Sequence, residues 1–85
     1  MPKAIVIKEY GSSRVLRLED VSSVDPTSDQ VQIRNVAVGV NYHDVYVRSG
    51  LYKTLALPGI PGCEASGIVE KIGENVQGLQ VGERV

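Results

Sequence analysis

Apolar residues along this chain recur mostly with period two and in short runs, which is the pattern of strands with one covered face. Ala4 to Lys8 and Val15 to Glu19 read as two strands around a turn at Gly11-Ser12-Ser13, where glycine relieves the steric cost of positive φ. Val21 to Pro26 reads as a polar loop, because proline cannot donate to a ladder and the following Thr27-Ser28-Asp29 are turn formers. From Gln30 to Val40 the alternation is clear, with Val31 and Ile33 on one parity and Val36, Val38 and Val40 on the other. The phase slips at Arg34-Asn35. A one-residue slip exchanges faces, so the segment is either one long strand bent by a β-bulge or a strand that moves from one sheet to another. Both devices curve sheets into barrels.

Asn41 ends that strand as an N-cap, and Asp44, at the third helical position, answers it as an Asp variant of the capping box. A short helix is therefore expected from about Tyr42 to Ser49, stopped by Gly50 in the left-handed conformation. Leu55 to Gly62, with Pro58, Gly59, Pro61 and Gly62, is expected to be an irregular loop. Strand pairing resumes at Glu64 to Ile72, where Gly67 points to a close backbone approach, and a turn follows at Gly73-Glu74-Asn75. Val81 to Val85 has the look of a turn entering a new strand.

Composition agrees with a mainly β chain. Valine is the most abundant residue, and β-branched side chains are better placed in pleated strands than in helices. Eighty-five residues make one small domain at most, with a core worth only a few kcal/mol. The net charge is −1 and the basic residues are scattered singly from Lys3 to Arg84, so nucleic acid is not an expected partner. The apolar runs are far short of the roughly 20 residues that cross a bilayer, and Ala4 to Ile7 is too soon interrupted for a signal peptide. With one cysteine, Cys63, no internal disulfide is available, and a cytoplasmic location is expected.

Candidate chemistry is sparse. Catalysis by a serine, histidine and carboxylate constellation needs a nucleophile and an orienting base, and the single histidine, His43, beside Asp44 on the expected helix, reads as an exposed or hydrogen-bonded helix residue. Cys63 and Glu64 could in principle meet His43 and Asp44, yet a structural zinc needs four donors and a catalytic one three, so no metal is expected. Gly59-Ile60-Pro61-Gly62 is interrupted by proline and leads into a strand, which excludes a phosphate-binding loop. What remains is a polar set between residues 41 and 52: Asn41, Tyr42, Asp44, Tyr46, Arg48 and Tyr52, holding three of the four tyrosines. Amides and phenols at one helix end would suit a ring-shaped ligand with carbonyl edges. The plainer alternative is an amphipathic helix that packs Tyr42, Val45 and Tyr46 on the sheet and leaves Arg48 in solvent.

Val38-Gly39-Val40-Asn41-Tyr42-His43-Asp44-Val45-Tyr46-Val47-Arg48-Ser49-Gly50-Leu51-Tyr52 resembles the N-terminal signature of NADPH:quinone oxidoreductases, the zeta-crystallin-like branch of the medium-chain dehydrogenase/reductase superfamily. Pro61-Gly62-Cys63-Glu64-Ala65-Ser66-Gly67-Ile68-Val69, Gly73 and Val81-Gly82-Glu83-Arg84-Val85 are similar to further segments of that family, in the same order along the whole chain. The resemblance implies a GroES-like, partly closed β-barrel with one short helix, cut short before the barrel is complete, with residues 1–85 as an N-terminal fragment and the Rossmann cofactor domain absent. In the intact family hydride passes from NADPH to a quinone in a cleft between the two domains. Carried over, Asn41 and Tyr46 are the positions expected beside nicotinamide and quinone, with Arg48 and Tyr52 on the same wall.

The resemblance also implies that no zinc is used. Zinc-dependent relatives carry cysteine where this chain has Asn41, and histidine where it has Cys63, which is itself a departure from the quinone reductases. Quinones are electrophilic enough to accept hydride without a Lewis acid. A fragment of this kind is expected not to turn over or tightly bind NADPH alone, and to self-associate or pair with a separately encoded remainder through unpaired strand edges. The rival expectation is a self-sufficient small β-domain acting as a protein-binding or scaffold module, with the tyrosines as its contact surface.

Overall fold

The computed structural model describes residues 2–85. Its elements follow the order β1 (Lys3–Val6), a 3-10 turn (Ser13–Val15), β2 (Arg17–Asp20), β3 (Val31–Val38), α1 (Tyr42–Ser49) and β4 (Ala65–Ile72). Among the described residues the fold is mainly β with one α-helix, as the sequence pattern predicts. The strands form two separate two-stranded sheets, β1 with β2 and β3 with β4, and neither closes into a barrel. Residues divide into two compact units, one from 2–23 and 40–63, the other from 24–39 and 64–85.

In the first unit β1 and β2 pair antiparallel, from Lys3 opposite Asp20 to Val6 opposite Arg17. Their link is longer than the expected tight turn. Ser12 accepts the Arg14 N–H at 3.4 Å and starts a 3-10 turn, so Val15 lies in that turn and the second strand begins at Arg17. Beyond β1 the main chain of Ile7 exchanges two hydrogen bonds with Gly59, at 2.9 and 3.0 Å. This bridge anchors the irregular 55–62 loop, a long-range tie that the local pattern gave no reason to expect. The Tyr10 hydroxyl donates to the Leu55 carbonyl at 2.9 Å, and the Gly11 N–H donates to the Arg48 carbonyl at 2.9 Å. Val6, Ile7 and Val47 are the buried apolar side chains of this unit among the described residues.

In the second unit β3 and β4 run antiparallel, from Val31 opposite Ile72 to Val38 opposite Ala65. Between Asn35 and Ala37 the partner advances by one residue, from Gly67 to Ser66, so Val36 is an extra residue on β3. A β-bulge therefore accounts for the phase slip, and β3 stays in one sheet. A second shift between Gln32 and Ile33 leaves Glu70 as the extra residue on β4. Gly67 is where the backbones approach: a Cβ there would collide with the Arg34 carbonyl oxygen and lie 2.6 Å from Ile33 Cγ2. On its other edge β4 takes up the 83–85 segment. Gly67 and Val85 exchange hydrogen bonds at 3.0 Å each, and the Val69 N–H donates to the Glu83 carbonyl at 2.9 Å. Val81 to Val85 thus does turn into a further strand pairing. Val69, 1% exposed, is the buried apolar side chain of this unit.

Candidate functional site

The polar set between residues 41 and 52 is organised by α1 and the loop that follows it. Asn41 has extended backbone angles, φ −126° and ψ 161°, and its N–H donates to Asp44 Oδ2 at 2.9 Å. That bond is the carboxylate half of the capping box, so Asp44 fixes the start of the helix as its position predicts. Gly50, at φ 89°, ends it. A left-handed residue there turns the chain back, and the Tyr52 N–H returns to the Tyr46 carbonyl at 3.2 Å.

This return places Tyr52 among aromatic rings. Tyr46 and Tyr52 meet edge to face with centroids 5.5 Å apart, and the His43 ring lies 5.8 Å from that of Tyr52. Edge-to-face contacts of this kind are worth about 0.5 to 1.5 kcal/mol beyond area burial. Tyr46 and Tyr52 keep 39% and 45% of their surface exposed, so the pair is braced and still open to a ligand. Tyr42 stands apart at 80% exposure, and Tyr10 is used structurally through its bond to Leu55.

The amphipathic expectation for α1 needs correction. Val47 is the residue it buries, Val45 and Arg48 are half-buried, and Tyr42 and Tyr46 are exposed. The periodicity of an eight-residue helix is too short to fix which face turns inward, and the bulky tyrosines are misleading because phenols tolerate water. Arg48 is held through its carbonyl by Gly11, and its Nε is buried without a hydrogen-bond partner. A buried donor in that state costs on the order of 1 to 3 kcal/mol unless a ligand or water meets it.

A second constellation lies at the start of the same helix. His43, Asp44 and Cys63 bring an imidazole nitrogen, a carboxylate oxygen and a sulfur within 4.8 Å of one another. They border a shallow hollow of about 190 Å³ that Val47, Ile60 and Pro61 also line. Nothing local in the sequence shows that the chain after residue 55 folds back on the helix, so this meeting was open from the sequence alone. Glu64, suggested as a fourth member, is not in the cluster. Asn41, Tyr46, Arg48 and Tyr52 thus lie on or beside one helix, with Tyr46 and Tyr52 in direct contact, and His43 links the tyrosines to Asp44 and Cys63.

Residues 27–85 match the alcohol dehydrogenase GroES-like domain family. Quinone oxidoreductase 1 of Escherichia coli is 39% identical over 85 residues, a match covering 100% of this chain and 26% of that protein. The crystal structure of Escherichia coli quinone oxidoreductase complexed with NADPH superposes with a TM-score of 0.94 at 37% identity, covering 98% of this chain and 26% of that one. A quinone oxidoreductase from Pseudomonas syringae gives a TM-score of 0.95 at 39% identity, with 99% and 26% covered. The chain spans about a quarter of the length of the curated relatives it matches.

Proposed function

The chain belongs to the alcohol dehydrogenase GroES-like domain family, and we propose that it forms the quinone-side wall of an NADPH-dependent, zinc-independent quinone oxidoreductase. The observation that carries this reading is the braced, half-open Tyr46–Tyr52 pair on the helix that Asn41 starts, in a chain aligned end to end with quinone oxidoreductases. Flat faces and phenol hydroxyls are what a quinone ring with two carbonyl oxygens requires.

NADPH would supply the hydride. The chain's own residues would bind and orient the acceptor. Tyr46 and Tyr52 present their rings to the quinone, and the Tyr46 hydroxyl donates to a quinone oxygen, where negative charge grows as hydride arrives. Asn41, fixed at the helix start by Asp44, offers an amide to the nicotinamide edge. Asparagine at 41 and cysteine at 63 replace the cysteine and histidine of zinc-dependent relatives, and a quinone needs no such ion to accept hydride.

The cofactor domain is not among these residues, so we infer that the chain alone neither holds NADPH tightly nor turns it over, and that it works with further polypeptide in a reducing, cytoplasmic setting. No helix among the described residues is long and apolar enough to cross a membrane. The self-sufficient binding module has no specific observation in its favour.

Two assays test the proposal. Steady NADPH oxidation with 1,4-benzoquinone by the purified chain would refute its dependence on a partner domain. When the chain is grafted in place of the matching quarter of the Escherichia coli enzyme, Tyr46→Phe should lower kcat/KM for the quinone about three- to tenfold, the worth of one hydrogen bond, with NADPH affinity unchanged. An unaltered kcat/KM would remove Tyr46 from the site.

A further inference from the structure

We propose that Cys63 is a nucleophile that adds to small α,β-unsaturated carbonyl compounds, with His43 as its general base and Asp44 steadying the proton that His43 takes. Cys63 is the chain's one cysteine and is exposed, so a dissolved electrophile reaches its sulfur. A thiol attacks slowly at neutral pH unless a base beside it removes its proton, and histidine is the usual partner. An imidazole nitrogen of His43, the Cys63 sulfur and an Asp44 carboxylate oxygen all lie within 4.8 Å of one another. His43 and Cys63 are both exposed, so side-chain rotation closes the remaining ångström or so to hydrogen-bond distance.

The carboxylate decides how the pair works. A standing thiolate is repelled by Asp44 while an imidazolium is attracted to it, so the two effects oppose each other before an electrophile arrives. As sulfur bonds to carbon, its negative charge moves out to the carbonyl oxygen and only the attraction remains. Asp44 is held for this role by the Asn41 N–H, which donates to Oδ2 at 2.9 Å. The Tyr52 ring, its centroid 5.8 Å from that of His43, limits where the imidazole can turn. The acceptor would enter the adjoining hollow of about 190 Å³, where Val47, Leu55, Ile60 and Pro61 offer apolar walls. Sites for drug-sized ligands start at about 300 Å³, so this one takes a small enone or imide. In the reaction His43 takes the thiol proton while sulfur bonds to the β-carbon, the C=C π pair becomes an enolate, and the imidazolium returns the proton to it. One S–H and one C=C π bond give way to one C–S and one C–H bond, with no external oxidant or reductant. This site does not rest on quinone reduction, and its test uses neither NADPH nor quinone.

The test is the rate at which the purified chain adds N-ethylmaleimide near neutral pH, followed by intact mass. One adduct per chain is expected, and none in Cys63→Ser, because the chain has no other cysteine. Addition to the parent should be about tenfold or more faster than to His43→Gln, whose amide cannot take the proton. It should also exceed, by a similar factor, addition to the parent chain unfolded in urea, where the cluster is dispersed. His43 is exposed, so His43→Gln keeps the parent circular dichroism. Equal rates for the parent and His43→Gln, no gain over the unfolded chain, or an adduct that persists in Cys63→Ser would overturn the proposal.

Discussion

At the residue scale, the start and end of α1 were fully legible, because capping is chemistry between near neighbours. Asn41, Asp44 and Gly50 occupy the roles their spacing predicts. Asp44→Ala should therefore cost about 1 kcal/mol in urea unfolding through the lost cap, and an unchanged midpoint would deny it that role. Gly50→Ala should cost about 1 to 2 kcal/mol, because a Cβ at φ 89° is strained and would also lie 3.1 Å from the Tyr10 ring. The meeting of Cys63 with His43 and the contact of Tyr52 with Tyr46 were not legible. Each depends on where a loop returns, and in this chain that is decided by main-chain ties such as Ile7 to Gly59.

At the scale of elements, a parity slip in the apolar pattern was enough to foresee the bulge in β3. The extra residue is Val36, one place beyond the slip, since alternation shows only that a residue has been inserted. The bulge at Glu70 left no such trace, as Ala65 to Ile72 lacks a clear alternation to interrupt. Gly67 was legible as a close approach, and Gly67→Ala should destabilise the β3–β4 sheet by about 1 to 3 kcal/mol, as overpacking does. A hydrogen-exchange measurement showing unchanged protection in β3 and β4 would contradict that.

The same unit carries a pH dependence. Lys71 Nζ lies 2.6 Å from Asp25 Oδ1, and this hydrogen bond and charge hold the Asp25 carboxyl below its ordinary 3.8 and Lys71 above its ordinary 10.5. The carboxylate's contribution is present above 3.8 and is lost as pH falls through the lower folded value, while the ammonium's is present below 10.5 and is lost as pH rises through the higher one. Both groups are exposed, so the effect is small. Lys71→Met should flatten the acid limb of a stability–pH curve below pH of about 4, and an identical acid limb would mean that the pair adds nothing.

For the whole molecule, the family and the mainly β class could be read from ordered motifs spread along the chain, whereas the grouping of strands could not. Four short strands fall into two ladders around few buried apolar side chains, while Val24, Val36, Val38 and Val40 are each more than half exposed. Chains with this balance of surface associate, and sedimentation at micromolar concentration should show oligomers; a single monomeric species would count against association. If this surface and the tyrosine wall belong to a larger quinone reductase, as proposed, they should support quinone reduction inside a complete enzyme. The most direct measurement is NADPH oxidation with 1,4-benzoquinone by the graft of this chain into Escherichia coli quinone oxidoreductase. Turnover within about tenfold of the parent enzyme is expected, about 1.4 kcal/mol in barrier height. A graft that folds and binds NADPH but leaves the quinone unreduced would contradict it.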